Sequence, residues 1–229
     1  MPPTMSTTKN YFYFRNKSLS KEKTRDNLAQ REIITMRDAF EANGISRDIA
    51  GKTIVDLACG DEYLKSTIQN MDGHYVGIDI EQCDLSQEEI PLEDESADIC
   101  LSMAFIEHIL DPGNFLQECR RILKKNGSLW LETPNINRAR TKFWDDPTHI
   151  HPYTPESLRT VLKMNGFKVL MVTPNYRCKP INYYKDDASN FWKSRIHMRL
   201  AGTSMAPVPN FFKGRCTGIF ALAIKDGNF

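Results

Sequence analysis

The sequence predicts an α/β fold, and three observations predict it. Residues 53–79, TIVDLACGDEYLKSTIQNMDGHYVGID, read as strand, turn, helix and strand. Further on, short apolar runs at 99–103, 128–132 and 167–172 alternate with segments of helical periodicity. The length, 229 residues, accommodates one such domain with additions and a sizeable core.

The first unit sets the pattern. Residues 54–59 are an apolar run interrupted by Asp56, and Gly60 follows as a turn residue. Residues 62–70 can run as a helix with Leu64 and Ile68 on one side, and residues 75–78 form a second apolar run that ends in Asp79. A strand, a tight turn, a helix and a strand closed by an acid about 20 residues past the turn describe a nucleoside-binding βαβ unit. The turn lets backbone approach a ligand, and the acid can accept both ribose hydroxyls. An ordinary core strand with a structural turn fits the same residues.

VDLACG followed by GID resembles the first two motifs of the class I S-adenosylmethionine-dependent methyltransferases. The family's turn favours D-h-G-x-G-x-G, and its glycine positions here hold Ala58, Gly60 and Glu62. A glutamate at the third position would crowd the methionine end of the cofactor or contact its ammonium. The resemblance implies a Rossmann-like sheet, mostly parallel with an antiparallel last strand, and helices on both faces. It implies S-adenosylmethionine as cofactor, with Asp56, Ala58, Gly60 and Met103 around the methionine portion and Glu62 and Ala104 also among the cofactor-binding residues. Asp79 would hold the ribose and Asp84 with Leu85 the adenine, with Ile80 also among the cofactor-binding residues. Asp84 follows Asp79 by only five residues, so the third strand is expected to be reduced or absent.

Bulk composition narrows the function classes. The formal charge is +1, from 30 basic and 29 acidic residues, which gives no general argument for nucleic acid or a membrane surface. Cysteines 59, 83, 100, 119, 178 and 216 form no C-x-x-C pair, and read as buried thiols in a reducing, cytoplasmic setting. The first ten residues carry no apolar h-region, so no secretory signal is expected, and no apolar run is long enough to span a bilayer.

The remaining elements follow in order. Residues 1–50 read as an N-terminal region, with the aromatic run Tyr11, Phe12, Tyr13 and Phe14 as a packed flap or a lid. Residues 20–43 form its helix, with Ala29, Ile33, Met36 and Phe40 on one stripe, and Arg31 is within reach of a methionine carboxylate or on a solvated face. The resemblance implies a methyltransferase domain over residues 51–229. After the strand at 99–103, Glu107-His108-Ile109 and Asp111-Pro112 resemble the "EH-h-x-D-P" signature of small-molecule methyltransferases. Asp111 and Pro112 begin a helix whose inner face is Phe115, Leu116, Cys119, Ile122 and Leu123, and residues 124–127 end it. Thr154-Pro155 starts a later helix, with Leu158, Val161 and Leu162 inward and Asn165-Gly166 as its stop. Residues 218–224 are the last strand, and the long insertion at 173–217 includes an amphipathic segment around 191–200. That segment reads as a packed helix, a substrate cap, a dimer contact or a patch for an anionic acceptor.

Two histidines are candidates for catalysis. His149 lies in FWDDPTHIHPY, where a D-P-x-H pattern resembles methyltransferases acting on sugars and other hydroxylated acceptors. His108 is the second choice. Either can act as a general base near neutral pH. Asp145, Asp146, His149 and His151 also admit a divalent metal or a hydrogen-bonded turn. The expected reaction is methylation of a small-molecule acceptor, with a sugar hydroxyl or a lipid- or nucleotide-linked glycan precursor foremost. N-methylation of an amine and a cofactor-binding module without catalysis remain open, as does a homodimer.

Overall fold

The computed structural model describes residues 22–174 and 218–226. Helix α1 (Glu22–Ala42) leads into a first unit of β1 (Thr53–Leu57), α2 (Lys65–Gln69) and β2 (His74–Ile78). Strand β3 (Ala97–Met103) is followed by a 3₁₀ turn at Ile106–His108 and by α3 (Gly113–Ile122). Strand β4 (Leu123–Pro134) leads through α4 (Ile136–Ala139) and a 3₁₀ stretch, Arg140–Asp145, to α5 (Pro155–Met164), β5 (Phe167–Pro174) and β6 (Gly218–Lys225).

These strands form one six-stranded sheet in the order β2-β1-β3-β4-β6-β5. The first four are parallel, and β6 inserts antiparallel between β4 and β5, pairing Trp130 with Leu222 and Val169 with Ala223. Strand alternation sends side chains to two cores. Val55, Leu57 and Cys100 pack with α3 and α5 on one face, and Ile54, Ile99 and Leu101 with α1 and α2 on the other. The predicted stripe of α1, Ala29, Ile33, Met36 and Phe40, is buried, as is the predicted inner face of α3. Of the inner face predicted for α5, Leu158 and Leu162 are buried and Val161 is partly buried.

No strand forms between β2 and β3 among the described residues, so β2 is a sheet edge, in line with the reduced third strand. Arg121 holds that connection in place. Its guanidinium donates to the carbonyls of Ile90 and Leu92 and to Asp94, while Glu118 braces it. Glu118 accepts the Ile90 N–H, and its carboxyl is held below the ordinary range chiefly by Arg121.

Two boundaries differ from expectation. The helix expected over 62–70 starts only at Lys65, because Glu62 takes φ 54°, outside the helical region. Residues 124–127 do not terminate α3, which ends at Ile122. Leu123 turns extended and pairs with Ala97, and a register shift with left-handed Asn126 carries the chain into the rest of β4. The start of α5 agrees with expectation: Thr154 and Ser157 form a reciprocal capping box, with Pro155 in the first turn. The aromatic run at 11–14, most of the insertion at 173–217 and its 191–200 segment lie outside the described residues.

Candidate active site

The carboxyl ends of β1 to β4 open on one edge of the sheet, the place where open α/β sheets bind ligands. Two groups of residues meet that edge.

The first is the loop after β1. The N–H groups of Ala58 and Cys59 donate to the carbonyl of Ile78, which docks the loop on the end of β2. Asp79 turns toward the loop: its Oδ2 accepts the Gly60 N–H at 2.5 Å and its Oδ1 accepts the Ile80 N–H at 2.7 Å. Ala58, Gly60 and Glu62 all have positive φ, 61°, 57° and 54°. The backbone thus adopts left-handed geometry at each position where the motif favours glycine, although two of the three residues carry side chains. Nothing lies within 4 Å of where a Cβ on Gly60 would stand, so the space in front of the turn is open. Glu62 does not occupy that space. It folds back over β2, where its Oε2 accepts from Lys65 at 2.8 Å and its Oε1 sits over Gly77. A Cβ at Gly77 would come within 2.9 Å of both Cys59 Sγ and Glu62 Oε1, so glycine is needed there for close approach.

Beneath the loop, Asp56 is 2% exposed and accepts a 2.9 Å hydrogen bond from the Tyr75 hydroxyl. Burial pushes its carboxyl up to about 7; the Tyr75 bond opposes this, and the charges of Asp79, Glu62 and Asp61 add to it. The same burial pushes the Cys59 thiol up to about 12, which removes it as a nucleophile at neutral pH. An ion pair between Arg25 of α1 and Asp61 closes the loop from the helix side. Arg31 is exposed on α1.

Of the other residues expected at the cofactor, Met103 ends β3 and packs partly buried on the α1 face. Ala104 follows at φ 56°, with its N–H donating to the Glu132 carbonyl. Leu85 is buried, and the carboxylate of Asp84 accepts from the Ser86 N–H and hydroxyl within its own turn.

The second group joins three segments around Glu107. This carboxylate is fully buried; its Oε2 accepts from the Thr133 hydroxyl at 2.9 Å and its Oε1 lies 3.9 Å from His149 Nε2. The main chain of Glu107 also fixes the distal loop, because its carbonyl accepts the N–H groups of Ile150 and His151. His149 Nδ1 lies 2.7 Å from the Phe143 carbonyl, and His108 Nδ1 lies 3.1 Å from the Thr148 carbonyl. A carbonyl can only accept, so both rings are assigned as Nδ1–H tautomers with the lone pair on Nε2. Asp146 accepts the Thr148 hydroxyl at 2.6 Å on Oδ1 and places Oδ2 3.7 Å from His149 Nε2. The two imidazoles lie 4.8 Å apart, and Phe143 backs His149 at 4.6 Å.

His108 and His149, separated by some forty residues, are thus brought together. His151 is not part of the group: it stacks on Tyr153 at 4.5 Å and its Nδ1 lies 3.2 Å from the Leu110 carbonyl. Glu107 was expected only as part of a motif, and its burial makes it the centre. The signal available was a carboxylate directly after a predicted strand, beside a histidine. Leu110, Trp144 and Ile150 are exposed apolar side chains on the same loops.

Comparison with known proteins agrees with this architecture. A family model described as "Methyltransferase domain" matches residues 23–172. A probable S-adenosylmethionine-dependent methyltransferase of Mycolicibacterium smegmatis is 25% identical over 174 residues, covering 66% of this chain and 65% of its own. A ubiquinone biosynthesis O-methyltransferase of Hahella chejuensis is 28% identical over 109 residues, 39% of this chain and 46% of its own. The chain thus spans less than two thirds of the length of these relatives. The crystal structure of a SAM-dependent methyltransferase from Archaeoglobus fulgidus matches with TM-score 0.60 and 19% identity, covering 94% of this chain and 99% of that one, a likeness of fold. The chain belongs to the methyltransferase-domain family, and S-adenosylmethionine is the cofactor named for its relative in Mycolicibacterium smegmatis. The loop fits that cofactor: Gly60 leaves room ahead of it, and Asp79 faces it from the neighbouring strand.

Proposed function

We propose that this chain transfers the methyl group of S-adenosylmethionine to a hydroxyl of a small-molecule acceptor, with a sugar or glycan-precursor hydroxyl as the acceptor class. The observation that carries the proposal is the group of His108, His149 and buried Glu107 at the carboxyl edge of the parallel strands, the edge that the Gly60–Asp79 loop also borders. The sulfonium of the cofactor supplies an activated methyl group. Asp79 and Ile80 would take the ribose, Asp84 and Leu85 the adenine, and residues 56–62 with Met103 and Ala104 the methionine portion.

The acceptor oxygen attacks the methyl carbon in line as the sulfur–carbon bond breaks, and S-adenosylhomocysteine departs as a neutral thioether. Alignment of the two substrates supplies most of the rate, up to about 7–11 kcal/mol. The hydroxyl proton passes to Nε2 of His149, and the resulting imidazolium faces Glu107 and Asp146 at 3.9 and 3.7 Å. Trp144 offers an aromatic face and Leu110 and Ile150 an apolar rim for the remainder of the acceptor. The O-methyltransferase among the relatives supports the oxygen acceptor.

With a hydroxyl acceptor, His149→Ala lowers kcat about 10²–10⁴-fold while S-adenosylhomocysteine binding is kept. Turnover left nearly intact in that variant would overturn the role of His149 and favour an amine acceptor. Among the described residues no helix is long and apolar enough to cross a membrane. Cys59, Cys83, Cys100 and Cys119 are buried free thiols, which supports a reducing compartment.

A further inference from the structure

We propose that Glu107, His108 and His149 form a binding site for one divalent transition-metal ion with nitrogen and oxygen ligands, with Asp146 beside it. One ligand atom from each of the three residues can be chosen so that all lie within 4.8 Å of one another. Two imidazoles and one carboxylate suit zinc, iron, cobalt or nickel, and are a poor match for magnesium, which takes oxygen ligands.

The chemistry around the rings points the same way. Metal-bound histidines hand their second nitrogen's proton to a backbone carbonyl or a carboxylate, which fixes the tautomer and aims the lone pair. Both rings here do so. His149 Nδ1–H donates to the Phe143 carbonyl, and His108 Nδ1–H donates to Thr148, whose hydroxyl donates in turn to Asp146. Glu107 is anchored through Thr133, so its Oε1 faces His149. Tetrahedral zinc with bonds of about 2.0–2.1 Å sets neighbouring ligand atoms about 3.3–3.4 Å apart. The Glu107–His149 separation of 3.9 Å and the Asp146–His149 separation of 3.7 Å are therefore a small side-chain movement from coordination. His149 is 11% exposed, leaving a side from which an ion and then an acceptor oxygen can enter.

The consequence for catalysis rests on the proposed reading of this group as the acceptor end; ion binding does not. With an ion bound, Nε2 of His149 would be held as a ligand, and the ion would supply Lewis-acid activation of an acceptor hydroxyl in place of that nitrogen's general-base role.

The test uses the full chain freed of metal by a chelator. Titration with Zn²⁺ by calorimetry, and with Co²⁺ by visible absorption, is expected to give one equivalent, unaffected by millimolar Mg²⁺. The Co²⁺ spectrum should lack a thiolate charge-transfer band, which excludes the cysteines as ligands. His149→Ala and Glu107→Gln should each weaken binding at least about 10-fold, whereas His74→Ala, at the exposed start of β2, leaves it unchanged. Circular dichroism checks folding, and His149→Ala serves alone if the buried Glu107→Gln variant does not fold. No saturable uptake, or uptake unchanged in His149→Ala, would overturn the site. Failure to methylate any acceptor would count against the proposed reaction and leave this result standing.

Discussion

Asp56 is a carboxyl enclosed by protein, and that condition makes stability depend on pH. Its folded-state pKa, about 7, lies above the unfolded value of 3.8, so the folded chain binds more protons between the two. Stability is therefore greatest at low pH as far as this group is concerned, and falls as pH rises from about 4 to about 7. Asp56→Asn keeps the shape and the Tyr75 bond. In urea unfolding it is expected to match the parent near pH 4, to exceed it by a few kcal/mol at about pH 8, and to lose this component of the pH slope; an unchanged slope would contradict the assignment. The glycines beside it make a second contrast. Gly60→Ala meets no atom, so its cost is the left-handed backbone alone, about 1–2 kcal/mol. Gly77→Ala drives a methyl into Cys59 and Glu62, and is expected to cost about 1–3 kcal/mol and also to weaken binding of S-adenosylhomocysteine. Equal binding by parent and Gly77→Ala would show that the loop does not rest on that close approach.

At the scale of elements, the short connection between β2 and β3 substitutes local bonds for a strand. Arg121 reaches it through Ile90, Leu92 and Asp94 while Glu118 holds the guanidinium. Arg121→Ala is expected to destabilise the fold by about 2 kcal/mol, since hydrogen bonds to charged groups are worth about 1.5–3. Hydrogen exchange should quicken most over residues 84–92; uniform quickening would contradict a local role. The elements also show what a sequence can carry. Helix α1, helix α5 and strands β1, β2 and β6 were legible because stripes, caps and apolar runs are local signals. The end of α3 was not, because Leu123 leaves the helix to pair with Ala97, a contact between distant residues. Glu62 obscured the start of α2 in the same way: a good helix former is held left-handed by the loop that docks on Ile78.

At the scale of the whole molecule, parallel strands deliver separate loops to one edge, and the site is a product of that topology. Asp79 could be expected opposite Gly60 from spacing alone, because strand–turn–helix–strand units fix that geometry. The meeting of Glu107, Thr133, Thr148 and His149 could not, since it requires β3 and β4 to lie side by side with the 146–151 loop folded back on Glu107. The cofactor end tests the entire arrangement. Titration of S-adenosylhomocysteine into the parent and into Asp79→Ala is its most direct measurement. The account predicts micromolar affinity in the parent and a loss of at least about 10-fold in the variant, a change worth 1.4 kcal/mol or more. No binding to the parent, or equal binding by both, would contradict it.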